Sequence, residues 1–169
     1  MKYIISTVAN TNPYSEPEAG TSAVNECDTN ADTCCLGKNF VVLEYTQRAA
    51  DVYAYTKDLA PIVGVPIVSG ATAWDDPITR QTYIIVINEG LNYGNKLDHS
   101  LINPNQIMDY GILLWDNAYD KSRNGELLIE LDESVKVRMI TQGTKTLFKS
   151  RAPTREERQE CRLIHPCRD

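Results

Sequence analysis

Apolar residues in this chain come in short β-branched runs set off by turn-forming residues, and a chain written that way can close a core only by pairing strands. The runs Tyr3 to Val8, Phe40 to Tyr45, Asp51 to Thr56, Val65 to Ser69, Thr82 to Asn88, Gly111 to Trp115, Glu126 to Leu131, Val135 to Ile140 and Thr144 to Lys149 are predicted strands. Asn12 to Gly20, rich in proline and glutamate, reads as an exposed loop. Tight connections at Leu131 to Ser134 and Thr141 to Gly143 predict an antiparallel meander from Glu126 to Lys149. Helical signals are confined to two places. Asn103 can cap a short helix with Pro104 at its first position and Gly111 at its stop. Thr154-Arg155-Glu156-Glu157 is a capping box opening a second helix from Arg155 to Leu163, ahead of Pro166. The expected class is all-β.

Charge, cysteine content and hydropathy exclude several functions. With 17 basic against 23 acidic residues the net charge is −6, which disfavours gripping a phosphate backbone, so nucleic acid is not an expected partner. The basic residues between Lys145 and Arg168 are interleaved with Glu156, Glu157 and Glu160, as on a solvated helix face. No apolar run approaches the roughly 20 residues of a membrane span. The opening Met1 to Thr7 lacks the apolar core of a secretory signal, which points to an intracellular, cytoplasmic setting. Five cysteines, an odd number, are expected as reduced thiols rather than a disulfide framework.

The stretch with the most chemistry is Cys27-Asp28-Thr29-Asn30-Ala31-Asp32-Thr33-Cys34-Cys35-Leu36-Gly37. Further on, His99-Ser100-Leu101-Ile102-Asn103-Pro104-Asn105-Gln106-Ile107 precedes Gly111. In this order the two resemble the catalytic turn and the late strand-helix element of retroviral and retrotransposon aspartic proteases, whose turn reads Asp-Thr/Ser-Gly-Ala. Asn30 stands where that family places glycine. The resemblance covers about residues 24–115 and implies a retropepsin-like closed barrel subunit in a domain 1–115; residues 116–169, which it leaves unexplained, read from their own turns and cap as a β-meander and basic helix extension. It implies Asp28 as catalytic carboxylate and Thr29 as the residue locking two loops across a dimer axis. Asn30, Ala31 and Asp32 would line the substrate main chain. It also implies a flap, with Val65 to Trp74 and Thr82 to Asn88 as arms joined by Asp75 to Thr79.

The chemistry so implied needs no cofactor. A water held between two carboxylates that share one proton can hydrolyse a peptide bond, because like charges that close cannot both ionise. One motif per chain supplies one aspartate, so a homodimer must supply the second. The expected function is an aspartic endopeptidase of a retrotransposon-like element processing a polyprotein. The alternative is an inactive relative serving as a dimerisation or scaffold subunit with protein partners.

Plainer readings exist for each residue. The aspartates could cap backbone amides in an Asx-rich turn. Cys34 and Cys35 read as small core residues, and His99 as a loop residue. Cys161, His165 and Cys167 match no standard zinc spacing, so no metal is expected. The tyrosines and Trp74 and Trp115 read as packing residues. No phosphate loop, serine elbow or His-Glu metal motif occurs.

Overall fold

The computed structural model describes residues 15–54, 56 and 58–164, and the backbone of residues 2–7. In chain order the elements are β1 (Lys2–Thr7), β2 (Ser22–Cys27), β3 (Cys35–Leu36), β4 (Val41–Tyr53), β5 (Ile62–Asp75), β6 (Thr82–Asn92), β7 (Ser100–Ile102), α1 (Pro104–Asp109), β8 (Leu113–Trp115), β9 (Leu128–Glu130), β10 (Lys136–Arg138), β11 (Ile140–Gln142), β12 (Lys145–Arg151), α2 (Arg155–Glu160) and β13 (Arg162–Ile164). The protein is mostly β-sheet with a few short helices, as the sequence predicts. Among the described residues, no helix is long and apolar enough to cross a membrane.

The large sheet follows the order β1-β4-β5-β12-β2-β7-β3-β6-β13, and β6 pairs again with β5. The pairings thereby close a ring through β5, β12, β2, β7, β3 and β6. A smaller sheet, β10-β9-β8, stands apart. Apolar residues from both sheets meet in the main core, where Trp74, Ile85, Ile87 and Phe148 pack with Ile129, Val135 and Val137. On β6 the odd residues Ile85 and Ile87 enter that core while Ile84 and Val86 join a second cluster with Val41, Ala71 and Ala73. Both faces of β6 are covered, which is why Tyr83 to Ile87 is uninterruptedly apolar.

The predicted strands Phe40 to Tyr45 and Asp51 to Thr56 are one strand, β4. Its polar middle, Thr46 to Arg48, is absorbed by a register shift against β5, with Gln47 at φ 61°. Thr56 lies outside the strand. The meander from Glu126 to Lys149 is divided. β9 and β10 form a hairpin in the small sheet, whereas β12 pairs with β11 and crosses to β2. The second helix ends at Glu160, because Cys161 is extended and the next three residues pair in parallel with β6 as β13. From the second part of the chain, β11, β12 and β13 are thus woven into the same sheet as β1 to β7, while β9 and β10 join β8 in the small sheet. Of the expected loop at Asn12 to Gly20, Ser15 to Gly20 is irregular and turn, and the remainder lies outside the described residues.

Buried side-chain hydrogen bonds knit the ring together. Asn25 on β2 donates to Ser150 Oγ on β12 (2.8 Å), Asn39 donates to Asn25 Oδ1 (2.8 Å) and Ser100 on β7 donates to Asn39 Oδ1 (2.6 Å). The Ser100 hydroxyl in turn accepts from the Gly37 amide (2.8 Å), and Thr72 on β5 shares a hydrogen bond with Ser150 (2.6 Å). All four side-chain carriers on strands, together with Asn39, are buried.

Candidate functional site

The loop from Asp28 to Cys34 leaves the end of β2 and returns into β3. Its position follows from parallel pairing of β2 with β7, Asn25 to Cys27 opposite Ser100 to Ile102. That pairing continues one step as the Asp28 amide donates to the Ile102 carbonyl (3.0 Å). The Asp28 carboxylate accepts from the Asn30 amide (2.8 Å), so the expected Asx turn is present. Asp28 is half-buried, Thr29 and Asn30 are exposed, Ala31 is buried and Asp32 is exposed.

Helix α1 clamps the same loop from the other side. Asn103 caps α1 by accepting from the Asn105 and Gln106 amides (2.8 and 3.1 Å), and its amide group donates to the Ala31 carbonyl. Gln106 Oε1 accepts from the Cys34 amide (2.8 Å) and the Thr33 hydroxyl (2.9 Å), while Nε2 donates to the Asn88 carbonyl (3.3 Å). The two stretches singled out in the sequence, about 70 residues apart, are therefore one hydrogen-bonded unit. The sequence marks Asn103 as a cap and places both residues in the late strand-helix element, without pointing to the loop they bind. Their polar side chains on a half-buried helix face are the signal, but their target is distant in sequence.

Beside this unit is an open cleft of about 400 Å³. Asp32 and Thr33 from the loop, Arg48 from β4, Ile67 from β5, Glu89 and Leu91 from β6, and Asn103, Asn105, Gln106, Asp109 and Tyr110 around α1 line it. Of the sequence candidates only Asp32 lines this cleft; Asp28, Thr29, Asn30 and Ala31 do not. Arg48 pairs with Glu89 across it, and the Tyr110 hydroxyl donates to Glu89 (3.4 Å). Arg48 and Glu89 were missed because each sits at a strand irregularity whose direction sequence periodicity does not encode.

The Cys27 and Cys35 thiols are held protonated. Burial, with the Asp28 charge second, pushes Cys35 up to about 12. Burial, then Asp116 and Glu26, pushes Cys27 up to about 12. Neither is a nucleophile at neutral pH. His99 is exposed. Among the described residues no three His, Cys, Asp or Glu side chains could hold a metal ion; His165 and Cys167 lie outside those residues.

The expected flap hairpin forms, with Trp74 opposite Tyr83 and Asp75 opposite Thr82. Its arms are core strands, however, with Ala71, Ala73 and Ile84 fully buried. Exposed apolar residues sit at the tips of both neighbouring hairpins, Ile78 between β5 and β6 (71%) and Leu59 and Val63 at the β4–β5 end (64% and 70%). Arg48 and Ile67, on β4 and β5, edge the cleft. Comparison with protein-family models, curated proteins and solved structures finds no match for the chain.

Proposed function

We propose that this chain is one subunit of a retropepsin-like aspartic endopeptidase of a retrotransposon-like element, acting as a homodimer on a polyprotein. The observation that carries the reading is the joining of the Asp28 turn to β7 and α1 by strand pairing and by Asn103 and Gln106. The closed ring of strand pairings is compatible with such a subunit. Asp28, half-buried at a strand end with Thr29 exposed beside it, is available to a second copy. In the dimer one Asp28 carboxylate takes a proton from water while the other, protonated, hydrogen-bonds the scissile carbonyl. The β4–β5 hairpin, whose strands carry Arg48 and Ile67 at the edge of the cleft, is the element nearest to hand to cover a bound peptide.

A second reading, an inactive scaffold subunit, is favoured by Asn30 in the glycine position and by the weaving of β12 and β13 into the sheet. The two separate in a peptide-library cleavage assay at mildly acidic pH. The protease reading expects cleavage by the wild type and none by Asp28→Asn, with both dimeric in light scattering. A dimer that is inert in both forms leaves the scaffold, and a monomer removes the shared-proton mechanism.

A further inference from the structure

β13 stands at one end of the large sheet's strand order, and α2 is the short helix that leads into it. The well-buried part of the chain stops just before them. Ala152 is buried with Val41 and Ile84, its amide donates to the Thr21 carbonyl (2.9 Å) and its carbonyl accepts from the Gly20 amide (2.8 Å). Past Pro153 the burial falls away: no residue of α2 is buried, Cys161 is half-buried, Arg162 and Leu163 are exposed, and Ile164 alone enters the main core. A segment with so little buried apolar surface is among the first parts of a native protein to open.

Besides the short parallel pairing of β13 with Tyr83 to Ile85, charge holds this segment, once at each end. At the α2 end Glu157 accepts two hydrogen bonds from Arg151 on β12 (2.8 and 2.7 Å), and Arg151 also holds Asp75 on β5. At the β13 end Arg162 pairs with Asp132, in the turn between β9 and β10, and donates to Ser134 there (3.2 Å). The other bonds described for α2 are internal. Thr154 and Glu157 form the capping box, and Arg158 donates to the Thr154 carbonyl (3.4 Å), so these travel with the segment and do not tie it to the sheet. The Asp28 loop is tied elsewhere, at the far end of β6, through the Asn88 carbonyl and the Leu91 amide.

We propose that Thr154 to Ile164 is a detachable strap, latched by one ion pair at each end, that comes away from β6 as a unit while the ring of strands and the Asp28 loop stay in place. It does so whether or not Asp28 is catalytic. Release bares the hydrogen-bonding edge of β6 at Tyr83 to Ile85, the kind of edge that takes up an added strand. Both latches are partly exposed, so each is weak and is screened by salt. Losing either one therefore loosens the strap without unfolding the protein.

The test is hydrogen exchange of the full-length protein at neutral pH, read by mass spectrometry on peptides covering the strap, the ring strands β2 and β12, and the Asp28 loop. In the wild type the strap is expected to be at least about tenfold less protected than β2 and β12. Glu157→Gln keeps the capping box without the charge, and Arg162→Met keeps the aliphatic stem. Each is expected to speed exchange of the strap, and of the β6 peptide over Tyr83 to Ile85, about two- to fivefold, with β2, β12 and the loop unchanged. Added sodium chloride is expected to speed the wild-type strap in the same way and to leave the double variant where it is, since no latch remains to screen. A wild-type strap that exchanges only as fast as β12 overturns the proposal. So does a strap indifferent to both substitutions, or a speed-up shared equally by strap, loop and ring.

Discussion

Asn30 stands where the resembled motif writes glycine, yet it is not among the described residues with positive φ. The turn here asks for nothing that only glycine supplies, because the Asp28 carboxylate already holds the Asn30 amide. Asn30→Gly is therefore expected to lower stability by about 0.5–1 kcal/mol through unfolded-chain entropy, measured by urea denaturation. In a working protease the same change preserves or raises cleavage by opening room for substrate backbone; in a scaffold it leaves the protein inert. Gln106 is the opposite case, a residue whose carboxamide nothing else replaces. Gln106→Leu removes the hydrogen bonds its carboxamide makes to the Cys34 amide, the Thr33 hydroxyl and the Asn88 carbonyl, each worth about 0.5–1.5 kcal/mol. The expected result is a urea midpoint shift of that size together with loss of Asp28-dependent cleavage. A variant as stable and active as wild type would mean the α1 clamp does not hold the loop.

At the scale of elements, the strands the sequence makes legible are those whose inward residues are apolar, such as β5, β6, β9 and β12. β2 and β7 were not read as strands, and the reason is visible in their inward residues, Asn25 and Ser100. A polar side chain at a core position imitates a loop in any hydrophobic pattern, and only the partners on β12 and at Asn39, far along the chain, make it a core residue. The candidate site divides in the same way. The Asp28 turn and α1 were legible from local motifs, whereas Arg48 and Glu89 depend on bulges, and the depth of the β5–β6 hairpin depends on what packs over it. The network tying β2, β7 and β12 is also the element-scale device most open to test. Asn39→Leu keeps the branched skeleton, with bulkier ends, but leaves Asn25 Oδ1 without that donor and takes the acceptor from the Ser100 hydroxyl, both buried. A loss of about 2–4 kcal/mol is expected, read as a fall in the urea midpoint with the slope unchanged. A loss below about 1 kcal/mol would show that the ring is held by backbone pairing alone.

Across the whole molecule, one cation ties three separate parts of the fold together. Arg151 at the end of β12 donates to Asp75 at the end of β5 (2.8 and 2.9 Å) and to Glu157 on α2 (2.8 and 2.7 Å). These bonds hold Asp75 below the usual carboxylate range, with a smaller contribution from Thr82, and hold Glu157 below it likewise. Both folded values lie under the unfolded ones, so the stabilisation is complete above the ordinary carboxylate range and is lost as pH falls through the folded values. Asp75 is about half exposed, and solvent screening limits the hub to about 1 kcal/mol in all. This acid loss bears on the proposed chemistry, since two aspartates sharing one proton work at mildly acidic pH, above the range in which the hub weakens. Arg151→Met removes the hub at every pH. Thermal unfolding of wild type and variant, followed from pH 7 to pH 3, is expected to show the variant less stable at neutral pH and the gap closing below the ordinary carboxylate pKa range, near pH 4. Cleavage, if present, should keep its acid optimum in both, because Asp28 lies outside the hub. A stability gap that stays constant to pH 3 would mean Arg151 acts through the packing of its stem against β12 and α2, not through its charge.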